Sequence, residues 1–200
     1  MAFTFFFRDR HTLEQMTRNL KPLVENYSRI KIWDAGCAMG PEPYTFGIIF
    51  AEELGRNDYK KVSILASDID ETSNFKEIVQ HGVYPKSDLS RMPEHIFENW
   101  FQPTEKENHY QIDALIRNSV NFIQHDLLTL VPPDNNFNAI ICKNVLLHFQ
   151  PSERIEVFKM FHSVLVDGGL LTTEQTQQLP DECKHLFEKV VSDANIYRKI

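Results

Sequence analysis

The feature that most constrains this chain is a series of four short apolar runs, each ending on polar or acidic residues. Lys31-Ile32-Trp33 runs into Asp34-Ala-Gly-Cys-Ala-Met-Gly40, and Val62 to Ala66 ends at Ser67-Asp68-Ile69-Asp70. Val120 to Ile123 leads to Asp126-Leu127, and Phe137 to Cys142 ends at Lys143-Asn144. Runs of this length, rich in β-branched and aromatic residues, read as buried strands. Helical spacing fills the gaps between them. His11 to Asn26 carries Leu13, Met16, Leu20 and Leu23, with Pro22 interrupting its second half. Pro43 to Leu54 starts on proline, which the first turn tolerates, and stops at Gly55. Glu71 to His81 stops at Gly82. Pro151 to Leu165 gathers Ile155, Phe158, Phe161, Val164 and Leu165 on one face and ends at Asp167-Gly168-Gly169. Leu170 to Thr173 reads as a fifth strand, His185 to Val191 as a last helix, and Asn195 to Ile200 as a returning edge strand.

Strands alternating with helices predict an α/β fold, a mostly parallel central sheet with helices on both faces. The segment Lys86 to Asn118 does not fit the alternation. It holds a helix over Pro93 to Phe101 and then mixed polar stretches, and reads as a small inserted cover or substrate-facing segment. The whole of 1–200 is expected to form a single domain. Its 42% hydrophobic content, with 15 Phe, is enough for a large core.

Charge and cysteine usage exclude several classes. The net charge is −7 and no basic run exists, which argues against a nucleic-acid face. Met1 to Phe7 is apolar but too short to span a bilayer, and it lacks a basic leader and cleavage pattern. The chain is therefore expected not to be membrane-inserted. Cys37, Cys142 and Cys183 are odd in number and widely spaced, so they predict neither a disulfide framework nor a metal site. A reducing, cytoplasmic setting fits them.

In open α/β sheets, ligands bind beyond the carboxyl ends of the strands, where the strand order switches. Asp34, Gly36 and Gly40 follow the first strand, Asp68 the second, Asp126 the third and Asn144 the fourth. The first loop reads G-C-A-M-G. It lacks the G-x-G-x-x-G spacing that seats a pyrophosphate on a helix N-terminus, which makes a nicotinamide oxidoreductase a distant reading. It suits a ligand with an amino-acid moiety, although Gly36 and Gly40 can also serve simply as a turn. Asp68 can accept from both ribose hydroxyls of a nucleoside, or cap the next helix, a role Asp70 fits better. Asp126 and Leu127 can bracket an adenine, or Asp126 can simply face solvent.

The segments Thr4-Phe-Phe-Phe-Arg8-Asp9, Trp33 to Thr45, Ala66-Ser-Asp-Ile-Asp70, Phe137 to Val145 and Ile196-Tyr-Arg-Lys199 resemble the CheR-type methyltransferases, in family order and nearly to both chain ends. Those enzymes transfer a methyl group from S-adenosylmethionine to glutamates of chemoreceptors, leaving S-adenosylhomocysteine. The resemblance implies a Rossmann-like class I methyltransferase whose partner is an acceptor protein, the cytoplasmic region of a chemoreceptor. It implies that Thr4 and Arg8 lie at the cofactor and the methyl-transfer point. Glu42 would bind the methionine ammonium, Asp68 the ribose, and Asp126 and Leu127 the adenine. Lys143 and Asn144 would close the site. A glutamate carboxylate has a pKa of about 4.3, so it is already an anionic nucleophile near neutral pH and needs no base. Arg8 can hold a carboxylate with paired N–H donors, or pair on the surface with Asp9 or Glu14. Glu42 can alternatively be a first-turn helix acid.

The chain departs from the family pattern in places. It opens at the Phe-Phe-Arg segment, so the family's N-terminal helical domain is expected to be absent. Ala2 stands where the family commonly has Asn, and Pro41 replaces the first of two acids before Pro43. His148 occupies the place of a substrate-orienting Tyr; it is either a catalytic hydrogen-bond donor or a residue packed beside Leu146, Leu147 and Phe149. Thr172-Thr-Glu-Gln-Thr176 replaces a Gly-His-Ser-Glu type turn and bears on the acceptor side. Two other functions compete: a regulatory module that binds S-adenosylmethionine without transfer, and a methyltransferase with a small-molecule acceptor.

Overall fold

The computed structural model describes residues 4–71 and 74–200. The first half of the described chain runs α1 (Arg10–Val24), β1 (Ile30–Ala35), α2 (Pro41–Leu54), α3 (Arg56–Tyr59), β2 (Val62–Asp68), α4 (Phe75–His81) and β3 (Val83–Pro85). There follow α5 (Glu94–Trp100), β4 (Phe101–Pro103), β5 (His109–Ile112), α6 (Ala114–Arg117) and β6 (Val120–Gln124). The last part holds β7 (Phe137–Cys142), α7 (Pro151–Val164), β8 (Leu165–Thr173), β9 (Phe187–Lys189) and β10 (Ile196–Lys199). The large sheet has the order β6-β2-β1-β7-β8-β10-β9. β6, β2, β1, β7 and β8 are parallel, and β10 is antiparallel to both β8 and β9.

Alternating side chains explain why helices cover both faces. Ile32, Ala139 and Ile141 face the layer of α1 and α2, where Leu13, Met16, Leu20, Phe46 and Phe50 are buried. Their neighbours Trp33, Ile140 and Cys142 face the opposite way, onto Val157, Phe158 and Phe161 of α7. A strand buried on both sides must be apolar throughout, which is why β7 reads as an unbroken run. α1 ends near its proline: Pro22 is exposed in the last turn and leaves the Leu13–Met16–Leu20–Val24 stripe intact. α2 starts at Pro41, earlier than Pro43, because Gly40 caps it at φ 98° and Pro41 needs no partner for an N–H.

Two expectations are corrected. The segment from His185 to Val191 is not a helix. A 3-10 turn over Asp181–Leu186 gives way to β9, in which Phe187 is buried against His162 while Glu188 and Lys189 face water. The edge of β10 offers unpaired backbone groups there, and pairing with them outweighs a short isolated helix. Asp167-Gly168-Gly169 does not separate helix from strand either. These residues lie inside β8, where Gly168 at φ 74° accompanies a shift of register against β7.

Within 86–118 the expected helix is α5, and the polar stretches form strands. β5 pairs antiparallel with β4 and with β3, so a three-stranded sheet of order β3-β5-β4 begins ahead of Lys86. Among the described residues no helix is long and apolar enough to cross a membrane.

Candidate active site at the carboxyl edge of the sheet

From β1 the chain winds outward through β2 to β6, then returns to the other side of β1 as β7 and β8. The loops after β1 and β7 therefore diverge, and the switch of strand order opens a crevice between them. A cavity of about 740 Å³ occupies this position. It is lined by Gly36, Ala38 and Glu42 from the β1 loop and α2, by Ser67, Asp68, Ile69 and Glu71 after β2, and by His125, Asp126 and Leu127 after β6. Lys143, Asn144, Val145, Leu147, His148 and Phe149 follow β7, while Thr4 and Arg8 come from the N-terminal segment. A second hollow of about 330 Å³ at the opposite end of the sheet, beside Arg29, Lys60 and Lys61, has no carboxylate in its lining.

Each loop is fixed by its own sequence. Gly36 has φ 100°, and a Cβ there would sit 2.0 Å from Val145 Cγ2, so only glycine lets the loops after β1 and β7 touch. Asp68 bridges its neighbours: Oδ2 accepts from the Ala38 N–H at 2.8 Å and Oδ1 from the Asp70 N–H at 3.2 Å. Asp70 takes the helix start, accepting from the N–H groups of Asn74 and Phe75. Asp126 accepts from the Leu128 N–H at 2.9 Å, capping a short 3-10 turn.

The N-terminal segment is held from two sides. Phe6 is fully buried, edge-on to Tyr84 and Phe101 of the small sheet at 4.9 and 5.6 Å. Phe7 N–H donates to Thr45 Oγ1 of α2 at 3.0 Å. Phe7 and Asp9 have left-handed φ of 61° and 51°, which turns Arg8 between them toward the cavity. Ala38 and Asn144 are left-handed as well, at 48° and 60°. Strained backbone of this kind persists only where surrounding structure over-determines it, and it concentrates at functional sites.

Arg8 Nη2 donates to Asn144 Oδ1 at 2.7 Å. Glu14 is taken instead by Arg10, at 2.6 Å. Lys143 is buried, with Nζ 3.1 Å from both Asp9 Oδ2 and Glu42 Oε2. Burial alone would lower its pKa, but the Glu42 and Asp9 carboxylates outweigh that and hold it above the usual lysine value. Burial pushes the Glu42 carboxyl up, and the Lys143 ammonium works against that rise. Asp34 is raised further, by burial first and then by Glu42.

Asp34 and Gly40 lie behind the cavity wall rather than in its lining. Asp34 is fully buried, and neither carboxylate oxygen has a protein partner. Gly40 leaves room for Tyr84, whose hydroxyl would stand 2.7 Å from a Cβ there and donates to the Met39 carbonyl. The remaining predicted residues (Thr4, Arg8, Gly36, Glu42, Asp68, Asp126, Leu127, Lys143, Asn144 and His148) share the one cavity. His148 is exposed at its rim, so the packed reading of that residue is set aside. Ala2 lies outside the described residues. Ser67, Ala38, Ile69, Leu147 and Phe149 also line the cavity, and nothing in their residue types marks them in the sequence as lining rather than ordinary loop positions.

A crevice at the switch of a doubly wound sheet, with an acid ending β2, defines a Rossmann-like α/β fold built to hold a nucleoside ligand. PKMT2 of Rickettsia typhi, solved with AdoHcy, shares it at TM-score 0.50 and 20% identity, over 86% of this chain and 26% of that one. The chain belongs to the CheR methyltransferase family: that family's SAM binding domain matches residues 2–196. A probable chemotaxis protein methyltransferase of Rhizobium etli is 25% identical over 194 residues, covering 94% of this chain and 72% of that protein. The chemotaxis protein methyltransferase of Listeria monocytogenes is 28% identical over 176 residues, covering 87% of this chain and 64% of that protein. This chain thus spans about two thirds of the length of such relatives.

The cofactor of this domain is S-adenosylmethionine, and the residues present fit it. The cavity volume of about 740 Å³ falls within the range of small-molecule sites, about 300–1,000 Å³. Glu42, Asp68 and Asp126 supply acceptors for a cationic, hydroxyl-rich ligand, with the orphaned carboxylate of Asp34 behind them.

Proposed function

We propose that this chain transfers a methyl group to glutamate carboxylates of a protein acceptor, the cytoplasmic region of a chemoreceptor, in the cytoplasm. The observation that carries the reading is the convergence of Arg8 with the loops after β1, β2, β6 and β7 on one cavity. Asp68 would hold the ribose hydroxyls, Glu42 the methionine ammonium, and Asp126 with Leu127 the adenine. When bound, the cofactor supplies an electrophilic methyl on a sulfonium.

The chain's own residues position and shield. Arg8, steadied by Asn144, has donors for the acceptor carboxylate. His148 at the rim supplies a further donor beside it. Ile69, Leu147 and Phe149 at the mouth limit water around the reacting groups. No proton moves, because a glutamate side chain is already ionised near neutral pH. Alignment of this kind can supply about 7–11 kcal/mol. The segment 86–118 serves, in this reading, as the platform on which the Arg8 segment rests, through Phe101 and through Arg91, whose guanidinium lies 4.1 Å from the Phe5 ring centroid.

The test is titration with S-adenosylhomocysteine followed by a labelled-methyl assay on receptor fragments. Formation of a base-labile protein ester supports the reading. Binding without transfer favours a regulatory module, and methylation of free acids alone favours a small-molecule acceptor. Arg8→Ala should lower turnover about 10²-fold while changing S-adenosylhomocysteine affinity less. Equal kinetics in both proteins would remove Arg8 from the acceptor side.

A further inference from the structure

One buried acid takes no part in the roles above. Glu174 follows β8 and is only 5% exposed. Its Oε2 accepts the Asn144 N–H at 2.9 Å, while Oε1 is buried without a partner. The turn that carries it is rigidly tied. Asn195 Nδ2 donates to the carbonyls of Glu174, Gln175 and Gln177, and Thr173 Oγ1 donates to the Gln177 carbonyl. A carboxylate placed in such a site with one oxygen unsatisfied costs stability, and packing gives it no compensation.

What that acid holds is a residue in a left-handed turn. Asn144 has φ 60°, the left-handed region that asparagine enters more readily than other residues with a Cβ but that still needs a partner to select it here. The left-handed turn directs the Asn144 carboxamide back to Arg8, whose Nη2 it accepts at 2.7 Å. The Glu174 oxygen, 2.9 Å from the Asn144 N–H and carried on a turn tied by Asn195 and Thr173, holds that backbone in place.

We infer that Glu174 is a positioning residue: it fixes Asn144 in its left-handed turn, and Asn144 in turn fixes Arg8 at the cavity, so that acceptor alignment is set from the carboxyl end of β8. The inference rests on the proposed reaction for its effect on turnover. Its structural half, the chain Glu174–Asn144–Arg8, stands without it. It also gives a physical role to the turn Thr172 to Thr176, where this sequence leaves the family pattern.

The experiment uses the full chain with Glu174→Ala and Glu174→Gln. Gln keeps an acceptor oxygen for the Asn144 N–H, and Ala removes it. In nitrogen-15 spectra, Ala should move both the Asn144 amide and the Arg8 Nε–H resonances, and Gln should leave Arg8 near its parent position. In the labelled-methyl assay on receptor fragments, Ala should lower turnover about 10²-fold, with S-adenosylhomocysteine affinity changed less, and Gln should restore most of it. In an Arg8→Ala background, Glu174→Ala should add less than about twofold, because both changes break one chain of contacts. An Arg8 resonance unmoved by Glu174→Ala overturns the inference. So does an equal loss of turnover with and without Arg8, or a Gln variant as impaired as Ala. If the parent chain transfers no methyl group, the proposed reaction fails while the resonance shifts still decide the role of Glu174.

Discussion

The parallel strands of the large sheet run five to nine residues, and β1 and β7 are buried almost throughout. The strands of the small sheet run three or four residues and fully bury only one side chain each, Tyr84, Phe101 and Ile112. The long strands end together at one edge and bring Gly36, Asp68, Asp126 and Asn144 to the cavity. None of the short strands lines that cavity, yet Tyr84 and Phe101 at their inner face hold Phe6, two residues from Arg8. One sheet forms the ligand-facing edge and the other anchors the segment that reaches into it. Precise placement of Arg8 therefore depends on residues far from any ligand.

Phe6→Ala is the strongest way to break that division of labour. Removing a fully buried aromatic side chain should cost about 3–5 kcal/mol of stability. Chemical denaturation measures that loss, and the labelled-methyl assay on the folded fraction measures the rest. If the small sheet anchors Arg8, turnover per folded molecule falls as well. A variant that loses stability but keeps full turnover would reduce the small sheet to a cover.

The same contrast explains what could be read from the sequence. β1 and β7 are legible because strands buried on both faces must be largely apolar, and in β1, β2, β6 and β7 alike the polar or acidic residues that follow the run mark the edge. Asp68 and Asp70 are separable in the sequence because only one of them sits where a helix start needs a cap. His109-Tyr-Gln-Ile112 carries no such mark: it is half exposed, with one buried residue, and reads as loop. β9 reads as helix in the sequence because its stability comes from pairing with β10, a partner the local sequence does not reveal. Within the turn Thr172 to Thr176 nothing in the sequence singles out Glu174, because its partner, Asn144, lies 30 positions away and is joined to it only by the pairing of β7 with β8.

Asp34→Asn sharpens the comparison from the large-sheet side. Burial and the neighbouring Glu42 raise the Asp34 pKa in the folded chain. The folded state therefore binds that proton more tightly than the unfolded state does. The stability this group contributes is complete below the ordinary aspartate value of about 3.9, and it is lost as pH rises through the raised value. Asn cannot ionise, so the variant should lose that dependence. Near neutral pH it should be more stable than the parent chain, because it places no charge in the buried site. S-adenosylhomocysteine should bind the variant more weakly if the orphaned carboxylate serves a cationic ligand. Thermal unfolding across the acid-to-neutral range, with and without ligand, reads both effects. An unchanged pH slope would mean that Asp34 finds donors in the folded chain after all.

The smallest effect is expected at Asp68, where geometry separates two roles. Its carboxylate already accepts from Ala38 and Asp70, so Asp68→Ala loosens the loops after β1 and β2 as well as deleting a ligand acceptor. Cofactor affinity should fall by more than about 1 kcal/mol, the scale of one lost hydrogen bond to a charged acceptor, or roughly fivefold. Asp68→Asn keeps one oxygen for the Ala38 N–H but cannot accept from two hydroxyls with full charge. If the loss is the same in Asn and Ala, the ligand role of Asp68 dominates. If Asn restores affinity fully, the residue matters as a brace between loops. Calorimetric titration with S-adenosylhomocysteine distinguishes these outcomes, and unchanged affinity in both variants would take Asp68 out of the site and leave the large sheet's edge without its ribose acceptor.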